Sequence, residues 1–112
     1  MLWCLEKKAR AHADFAAANS YSVSVLDERQ QMVSTRFASH DPEPLSAEEY
    51  VIWRTGAPIL KQRLAGFDCE VTDRHRSGDH VILVARVLQF DSRAGVPLLY
   101  FASNYAKGPH TN

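Results

Sequence analysis

The sequence contains few of the features that mark well-known classes of protein. Its 112 residues include only two cysteines, Cys4 and Cys69, and these do not form a Cys-x-x-Cys pair. Both lie in apolar stretches, so we expect two small buried thiols in the reducing cytoplasm rather than a disulfide. A zinc site would have to combine them with His75 and His80 without the spacing typical of zinc ligands, and we give that alternative little weight.

An excess of charge and a long apolar segment are also lacking. Thirteen basic residues balance thirteen acidic ones, which does not favour a nucleic-acid or a membrane-surface partner. No apolar run approaches the roughly 20 residues that span a bilayer. The apolar start of the chain is too short for a signal peptide and has no basic residues before it. We therefore expect a cytoplasmic protein with no nucleic-acid or membrane partner.

The common sequence motifs for phosphate binding and for nucleophilic catalysis are absent. The chain has no Gly-x-Gly-x-x-Gly and no Gly-x-x-x-x-Gly-Lys-Ser/Thr loop, and it has no Gly-x-Ser-x-Gly turn. It is, however, 46% hydrophobic, which argues against disorder over most of its length. This length and composition suit one domain over residues 1–112 with a single core.

The most informative stretch begins with Gly78, Asp79 and His80 and continues as an apolar run over residues 81–88. Only Arg86 is polar in that run, which is typical of a strand covered on both faces. Gly78 favours a turn before the strand. Neighbouring residues in a strand point to opposite faces, so we expect no hydrogen bond between Asp79 and His80. A histidine at this rim is placed to face a ligand, although such histidines are more often structural.

The remaining pattern predicts several more strands and two helices. We expect strands over residues 2–5, 21–26, 50–54, 67–72 and 96–101, and helices over residues 7–18 and 27–38. Residues 73–79 are expected to form the loop of a long hairpin. Residues 39–49 contain two prolines and predict a mobile surface loop, and the polar tail over residues 106–112 is expected to fray. The whole indicates a mainly β protein with a barrel-like sheet and peripheral helices.

Both predicted helices carry basic residues near one end. The first has an alanine face suited to close packing on a sheet, and it begins with Lys7, Lys8 and Arg10. Because the helix dipole disfavours cations there, a phosphate site and a solvated basic turn are equally good explanations. In the second helix, Asp27 and Gln30 predict a capping pair. Arg36 lies near its end, where a cation complements the dipole.

The order of motifs along the chain resembles the flavin reductase family, whose members have the FMN-binding split-barrel fold and serve as reductase components of two-component flavin monooxygenases. The resemblance covers nearly the whole chain. It rests on the apolar Leu-Trp-Cys-Leu run at residues 2–5, the basic turn at 7–10, the strand at 21–26, Arg-Phe-Ala at 36–38, Gly-Ala-Pro at 56–58, Phe-Asp-Cys at 67–69, Gly-Asp-His at 78–80, and Pro-Leu-Leu-Tyr-Phe at 97–101 ahead of Tyr105.

The resemblance implies an antiparallel Greek-key split β-barrel and a homodimer. It implies reduction of FMN or FAD by NADH or NADPH, with the reduced flavin passing to a separate flavin-dependent monooxygenase. It also implies that the chain begins after the first strands of the family's domain and is therefore truncated at its N-terminus. A non-catalytic flavin-binding module of the same fold and an inactive fragment are the alternatives.

The resemblance also implies roles for individual residues. His80 would face the nicotinamide and the flavin ring as the catalytic residue. The flavin contacts would come from two parts of the chain, namely Cys4, Leu5, Glu6, Arg10 and Ala11 in the first part, and Arg36, Phe37, His80 and Tyr105 further on. Arg10 and Ala11 would lie at the phosphate-bearing side of the flavin. Ala9 and Ala11 replace a serine and a small polar residue of the family, which removes two donors to a phosphate.

Overall fold

The structure is a computed structural model that describes residues 1–9 and 12–109. Its elements follow the order β1 (Leu2–Glu6), α1 (His12–Ala16), β2 (Ser20–Val25), α2 (Gln31–Ala38), β3 (Tyr50–Ile52), β4 (Pro58–Leu60), β5 (Ala65–Ser77), β6 (His80–Ser92), β7 (Leu98–Phe101) and β8 (Asn104–Lys107). Every pair of neighbouring strands is antiparallel. The prediction of a mainly β protein with peripheral helices is confirmed.

A four-stranded sheet in the order β1-β6-β5-β2 contains most of the strand residues, and β3-β4 and β7-β8 form two further pairs. The β5–β6 hairpin is the centre of this sheet. Its register shifts twice, between Asp68 and Cys69 and between Val71 and Asp73. An extra residue at such a shift bends a strand and increases its twist. The two irregularities therefore help to curl the sheet into a half-barrel.

The long hairpin was predicted correctly, but its predicted loop was wrong. Strand β5 continues to Ser77, so residues 73–77 are strand, and only Gly78 and Asp79 form the turn. Gly78 has φ of 58°, a left-handed conformation that glycine adopts without steric cost. The residues of this part of β5 are exposed, and backbone pairing with β6 holds them in place. A strand held in this way needs no apolar side chains, and this explains why hydrophobic periodicity missed it.

One face of β6 builds the core. Val81, Leu83 and Ala85 are buried, whereas Ile82 and Val84 on the other face are only half-buried. The expectation of a strand covered on both faces is therefore wrong for the part of the chain that the structure describes. The core also contains Tyr21 and Cys69, with Trp3, Phe15, Val23, Phe67, Val71 and Val87 packed around it.

The two cysteines differ in their surroundings. Cys69 is fully buried in the core, as expected, and burial raises the pKa of its thiol. Cys4 is exposed, so the prediction of a buried thiol is wrong there. The reason is its position on β1, where Leu5 faces the core and its neighbour Cys4 faces the other way. No group of ligands that could hold a metal ion occurs among residues 1–9 and 12–109.

Helix α1 is shorter than predicted. Residues 7–9 form a turn, in which the Ala9 amide donates to the Glu6 carbonyl at 3.0 Å, and among the described residues the helix runs over His12–Ala16. The expected alanine face is buried only in part, because Ala13 and Ala17 are exposed whereas Ala9 and Ala16 are half-buried. Phe15 packs on the sheet, with its ring centroid 4.6 Å from that of Trp3 in an edge-on arrangement. An aromatic ring buries far more apolar area than an alanine methyl group.

Helix α2 begins four residues later than predicted, at Gln31. The expected capping pair is half formed, because the Asp27 amide donates to Gln30 Oε1 at 2.9 Å while the Asp27 carboxylate binds Arg29.

Near the C-terminus, Ala106 and Lys107 belong to β8 and pair with β7. The strand thus extends into the first residues of the segment expected to fray. Among the described residues, no helix is long and apolar enough to span a membrane.

Candidate functional site

Three of the predicted site residues meet at the rim of the sheet where β1 and β6 pair. Glu6 lies directly opposite His80, and Cys4 lies opposite Ile82. Residues opposite each other share a face of the sheet, as do alternate residues of one strand. Cys4, Glu6 and His80 therefore lie on one face, and we call them the rim group. All three are exposed or half-exposed, with 41% of the His80 side chain accessible.

Asp79 is the partner that holds His80. Its Oδ1 lies 2.7 Å from His80 Nδ1, so the expectation that these two residues share no hydrogen bond is wrong. The alternation of faces on which it rested applies inside a strand, whereas Asp79 lies in the turn. The hydrogen bond with His80 lowers the pKa of Asp79, and the charges of His80 and Lys7 act in the same direction. The carboxylate thus stays ionised and orients the imidazole through Nδ1.

Leu5 lies next to the rim group but does not add its side chain to it. Its side chain is 5% exposed and faces the core. Only its backbone can take part in a site on the opposite face. Within the described residues β1 pairs with β6 alone, so its other edge presents backbone donors and acceptors. Arg10 and Ala11 lie outside the described residues.

Arg36 has a structural role that the sequence did not reveal. Its guanidinium donates to both carboxylate oxygens of Glu49, at 2.7 and 3.2 Å, and to the carbonyls of Glu43 and Pro44 at 3.0 and 2.7 Å. Arg36 therefore ties the segment over residues 39–49 to α2, and the hydrogen bonds from Arg36 lower the pKa of Glu49 to about 2. The guanidinium also lies 4.7 Å from the ring centroid of Phe37. Most donors of Arg36 are engaged within the chain.

Tyr105 connects β8 to α2. Its hydroxyl lies 3.0 Å from Ser34 Oγ, and its ring lies 5.1 Å from that of Tyr100. Hydrogen bonds with Ser34 and then Thr35 lower the pKa of Tyr105. Arg36, Phe37 and Tyr105 thus belong to one region, and we call them the α2 group.

The rim group lies at the closed end of the β5–β6 hairpin, whereas α2, which carries Arg36 and Phe37, starts near its open end. His80 is the first residue of β6, at the closed end of the hairpin, and Ser92 is its last residue, at the open end. The strand has 13 residues, so its length along the bent backbone is about 40 Å at about 3.3 Å per residue. The chain leaves β2 at Val25, which lies at the open end. Gln30 Nε2 donates to the Gln62 carbonyl at 2.6 Å and holds the start of α2 nearby. Among the described residues, the two groups share no hydrogen bond, ion pair or ring contact.

Comparison with known proteins gives consistent results. Residues 1–109 match the model of the flavin reductase like domain. The reductase subunit HsaB of a flavin-dependent monooxygenase from Rhodococcus jostii is 33% identical over 106 residues, covering 94% of this chain and 54% of that protein. The chain spans about half the length of the curated relatives it matches.

Solved structures of related proteins share the fold. BorF, the flavin reductase component of a bacterial two-component tryptophan halogenase, aligns with a TM-score of 0.85 and 29% identity over 96% of this chain and 71% of that one. The NADH:FAD oxidoreductase SgcE6 of Streptomyces globisporus, in complex with NAD and FAD fragments, aligns with a TM-score of 0.83 and 25% identity, covering 94% of this chain and 65% of that one. From the domain match and the shared half-barrel, we conclude that the chain belongs to the flavin reductase family.

Proposed function

We propose that this chain forms part of a flavin reductase that reduces FMN or FAD with NADH or NADPH and releases the reduced flavin to a flavin-dependent monooxygenase. The observation that carries the proposal is the rim group, in which His80 is exposed at the end of β6 and held by Asp79. The relatives support the same reading, because their names describe a monooxygenase reductase subunit, a halogenase flavin reductase and an NADH:FAD oxidoreductase.

The groups exposed at the rim group have the chemistry that a flavin ring needs. Such a ring is flat and apolar over much of its area, and its pyrimidine edge carries both hydrogen-bond donors and acceptors. Cys4 offers a small exposed surface, and within the described residues the edge of β1 away from β6 offers backbone groups of both kinds. When bound, the flavin supplies the acceptor for the hydride of the nicotinamide.

His80 and Asp79 would position the nicotinamide. Because Asp79 accepts at Nδ1, that nitrogen carries a proton and Nε2 is left to face a ligand. A fixed imidazole can hold the nicotinamide in one orientation, and orientation of the reacting groups accounts for a large part of many enzymatic rate accelerations. Asp79 acts through His80 and is therefore a positioning residue.

We further propose a homodimer that works in the cytoplasm. In one chain the rim group and the α2 group lie at different ends of the hairpin, so a second copy is the simplest source of an α2 group near His80. Apolar side chains exposed in the single chain are suited to such an interface: Met32 is 85% exposed, Phe101 78%, Phe90 68% and Tyr100 67%. Analytical ultracentrifugation should give a dimer, and a monomer at the concentration of the activity assay would contradict this part of the proposal.

The activity is tested by mixing the protein with FMN or FAD and NADH and following the nicotinamide absorbance without oxygen. We expect oxidation of NADH that depends on added flavin. The His80→Ala variant should lower kcat more than it weakens flavin binding, since its ring would face the nicotinamide rather than carry the flavin. Asp79→Asn should lower kcat less and change its pH profile, because the asparagine is uncharged.

His40→Ala is the matched control, because it removes a histidine from the segment over residues 39–49 and leaves the rim group intact. It should retain the activity of the unmodified protein. Flavin binding without any NADH oxidation would identify a binding module instead of a reductase. Equal kcat values for His80→Ala and the unmodified protein would leave His80 with a structural role.

A further inference from the structure

Three polar side chains lie beside His80 and do not belong to the rim group. Asp73, His75 and Ser77 alternate along β5, and Ser77 lies directly opposite His80. Residues opposite each other share a face of the sheet, as do alternate residues of one strand. The three side chains therefore lie on the face that carries His80, on the side of β6 away from β1. We call them the β5 strip.

The fold does not use the side chains of the β5 strip. All three are exposed, and within residues 1–9 and 12–109 none of them forms a hydrogen bond, an ion pair or a ring contact. The intervening residues Arg74 and Arg76 point to the other face, where Arg74 donates through Nε to the Ala16 carbonyl at 2.8 Å. A carboxylate, an imidazole and a hydroxyl thus remain available to a ligand on the face of His80.

His75 connects the β5 strip to the rim group. It lies opposite Ile82, and Cys4 lies opposite Ile82 on the other side. Diagonal neighbours on adjacent strands are about 7–8 Å apart, which is within reach of aromatic side chains. His75 and His80 are such neighbours, because Ser77 lies opposite His80 and His75 is two residues away from Ser77. One ligand can therefore contact both imidazoles.

The chemistry of the β5 strip suits the hydroxyl groups of a sugar. A sugar hydroxyl both donates and accepts a hydrogen bond. The Asp73 carboxylate accepts, a neutral His75 imidazole donates at one nitrogen and accepts at the other, and the Ser77 hydroxyl does either. Carboxylates bind ribose hydroxyls in many dinucleotide sites. A phosphate group suits this strip poorly, because the charge of Asp73 would repel it.

We propose that the β5 strip binds the ribose attached to the nicotinamide of the hydride donor, an inference that rests on the proposed reductase function. The ribose is joined directly to the nicotinamide ring, and neighbouring strands are about 4.8 Å apart. With the nicotinamide over His80, its ribose lies over either β1 or β5. In the proposed function β1 provides the flavin contacts, which leaves β5 for the ribose.

The kinetic test compares NADH with 1-benzyl-1,4-dihydronicotinamide, which has the same hydride-donating ring but a benzyl group in place of the ribose. Rates without protein are subtracted. His75→Ala should raise KM for NADH about fivefold and Asp73→Ala about tenfold, as expected for a neutral and a charge-assisted hydrogen bond. Both should leave kcat unchanged, because the ribose contact is the same before and during hydride transfer. Both constants for the benzyl compound should stay within about twofold.

A binding measurement gives a second readout that needs no hydride transfer. Nicotinamide riboside and nicotinamide are titrated separately into the protein with FMN present, and the Hε1 resonance of His75 is followed by NMR. We expect the riboside to shift this resonance and nicotinamide to leave it unchanged. His40→Ala is the matched control, because it removes an exposed histidine outside the β5 strip. It should leave KM for NADH and the shift of His75 as in the unmodified protein.

Two kinetic results would overturn the proposal: an unchanged KM for NADH in both variants, or an equal rise in KM for NADH and for the benzyl compound. Melting curves of both variants should match that of the unmodified protein, because neither side chain has a partner in the described part of the fold. Oxidation of neither donor by the unmodified protein would reject the proposed reductase. The NMR titration then still tests the β5 strip, and a His75 resonance that the riboside does not shift would overturn it.

Discussion

Asp68 should be one of the residues whose substitution destabilises this protein most, because its carboxylate is buried and accepts several hydrogen bonds. Asp68 is fully buried in β5, and it accepts hydrogen bonds from the amides of Arg54 and Thr55, at 2.8 and 3.0 Å, and from the Thr55 hydroxyl. All three donors belong to the turn between β3 and β4. One side chain therefore attaches this turn to the main sheet.

The size of the effect follows from the number of donors. Leaving a buried donor without a partner costs roughly 1–3 kcal/mol. In Asp68→Ala three donors lose their acceptor, but Arg54 is exposed and water can reach the turn. We therefore expect a loss of about 3–4 kcal/mol in the free energy of unfolding. Asp68→Asn keeps the volume and one acceptor oxygen and should cost about 1–2 kcal/mol. Thr55→Val removes one donor to Asp68 and also the hydroxyl that accepts from the Ala57 amide at 3.2 Å, and it should cost about 1 kcal/mol.

Urea unfolding of the three variants, followed by tryptophan fluorescence and circular dichroism, measures these differences. The order Asp68→Ala, then Asp68→Asn, then Thr55→Val is expected. A loss below about 1 kcal/mol for Asp68→Ala would refute the reasoning, because it would mean that water satisfies all three donors.

The pH dependence gives a second test of the same contact. Burial raises the pKa of Asp68, but the hydrogen bonds from Thr55 and Arg54 outweigh it, and the pKa lies below its ordinary value. A group whose pKa is lower in the folded state stabilises that state above its unfolded pKa of about 3.9. This contribution is lost as the pH falls through the folded pKa. Asp68→Ala should therefore show a smaller loss of stability below about pH 4 than the unmodified protein.

Three further substitutions test other parts of the structure. Arg63→Met should cost about 2–4 kcal/mol in urea unfolding, because the Arg63 side chain is only 6% exposed and pairs with Asp91, which would lose its partner; an unchanged midpoint would contradict this. Leu83→Ala should cost about 3 kcal/mol, since Leu83 is fully buried in the core, and a loss below 1 kcal/mol would show that the core collapses around the missing methyl groups. Arg36→Ala should speed limited proteolysis within residues 39–49 and raise the pKa of Glu49 from about 2 towards its ordinary value of 4.5, as an NMR titration would show. In the unmodified protein the Arg36–Glu49 pair stabilises the fold above the ordinary glutamate pKa, and this stabilisation is lost as the pH falls towards about 2. Proteolysis of Arg36→Ala at an unchanged rate would mean that other contacts hold the segment.

Several parts of the fold could be predicted from the sequence because they depend on local patterns. The alternation over residues 21–26 predicted β2 to within a residue at each end. The apolar run over residues 81–88 predicted β6 except for its first residue and its last four, and Gly78 predicted the turn before it. In each case the signal is local: alternating or continuous apolar residues indicate a strand, and a glycine permits a left-handed turn.

The candidate site was predictable only in part. The motif order gave the residues that the flavin reductase family implies, and strand pairing brings Cys4, Glu6 and His80 together. Asp79 was excluded as a partner of His80 because the turn geometry that joins them cannot be read from alternation. The placement of Arg74 and Arg76 could not be predicted for a related reason: both were assigned to a loop, in which a spacing of two residues has no meaning, whereas in β5 the same spacing places both on one face.

Periodicity and motif order were therefore enough to predict a mainly β fold, the family and the long hairpin, because both are patterns of neighbouring residues that can be read along the chain. The contacts between strands determine how far β5 extends, which face of β6 forms the core, and that the start of α2 lies at the opposite end of the hairpin from His80. These properties depend on hydrogen bonds between residues far apart in the chain, and the energy of such a bond is set by the register of two strands rather than by either segment alone.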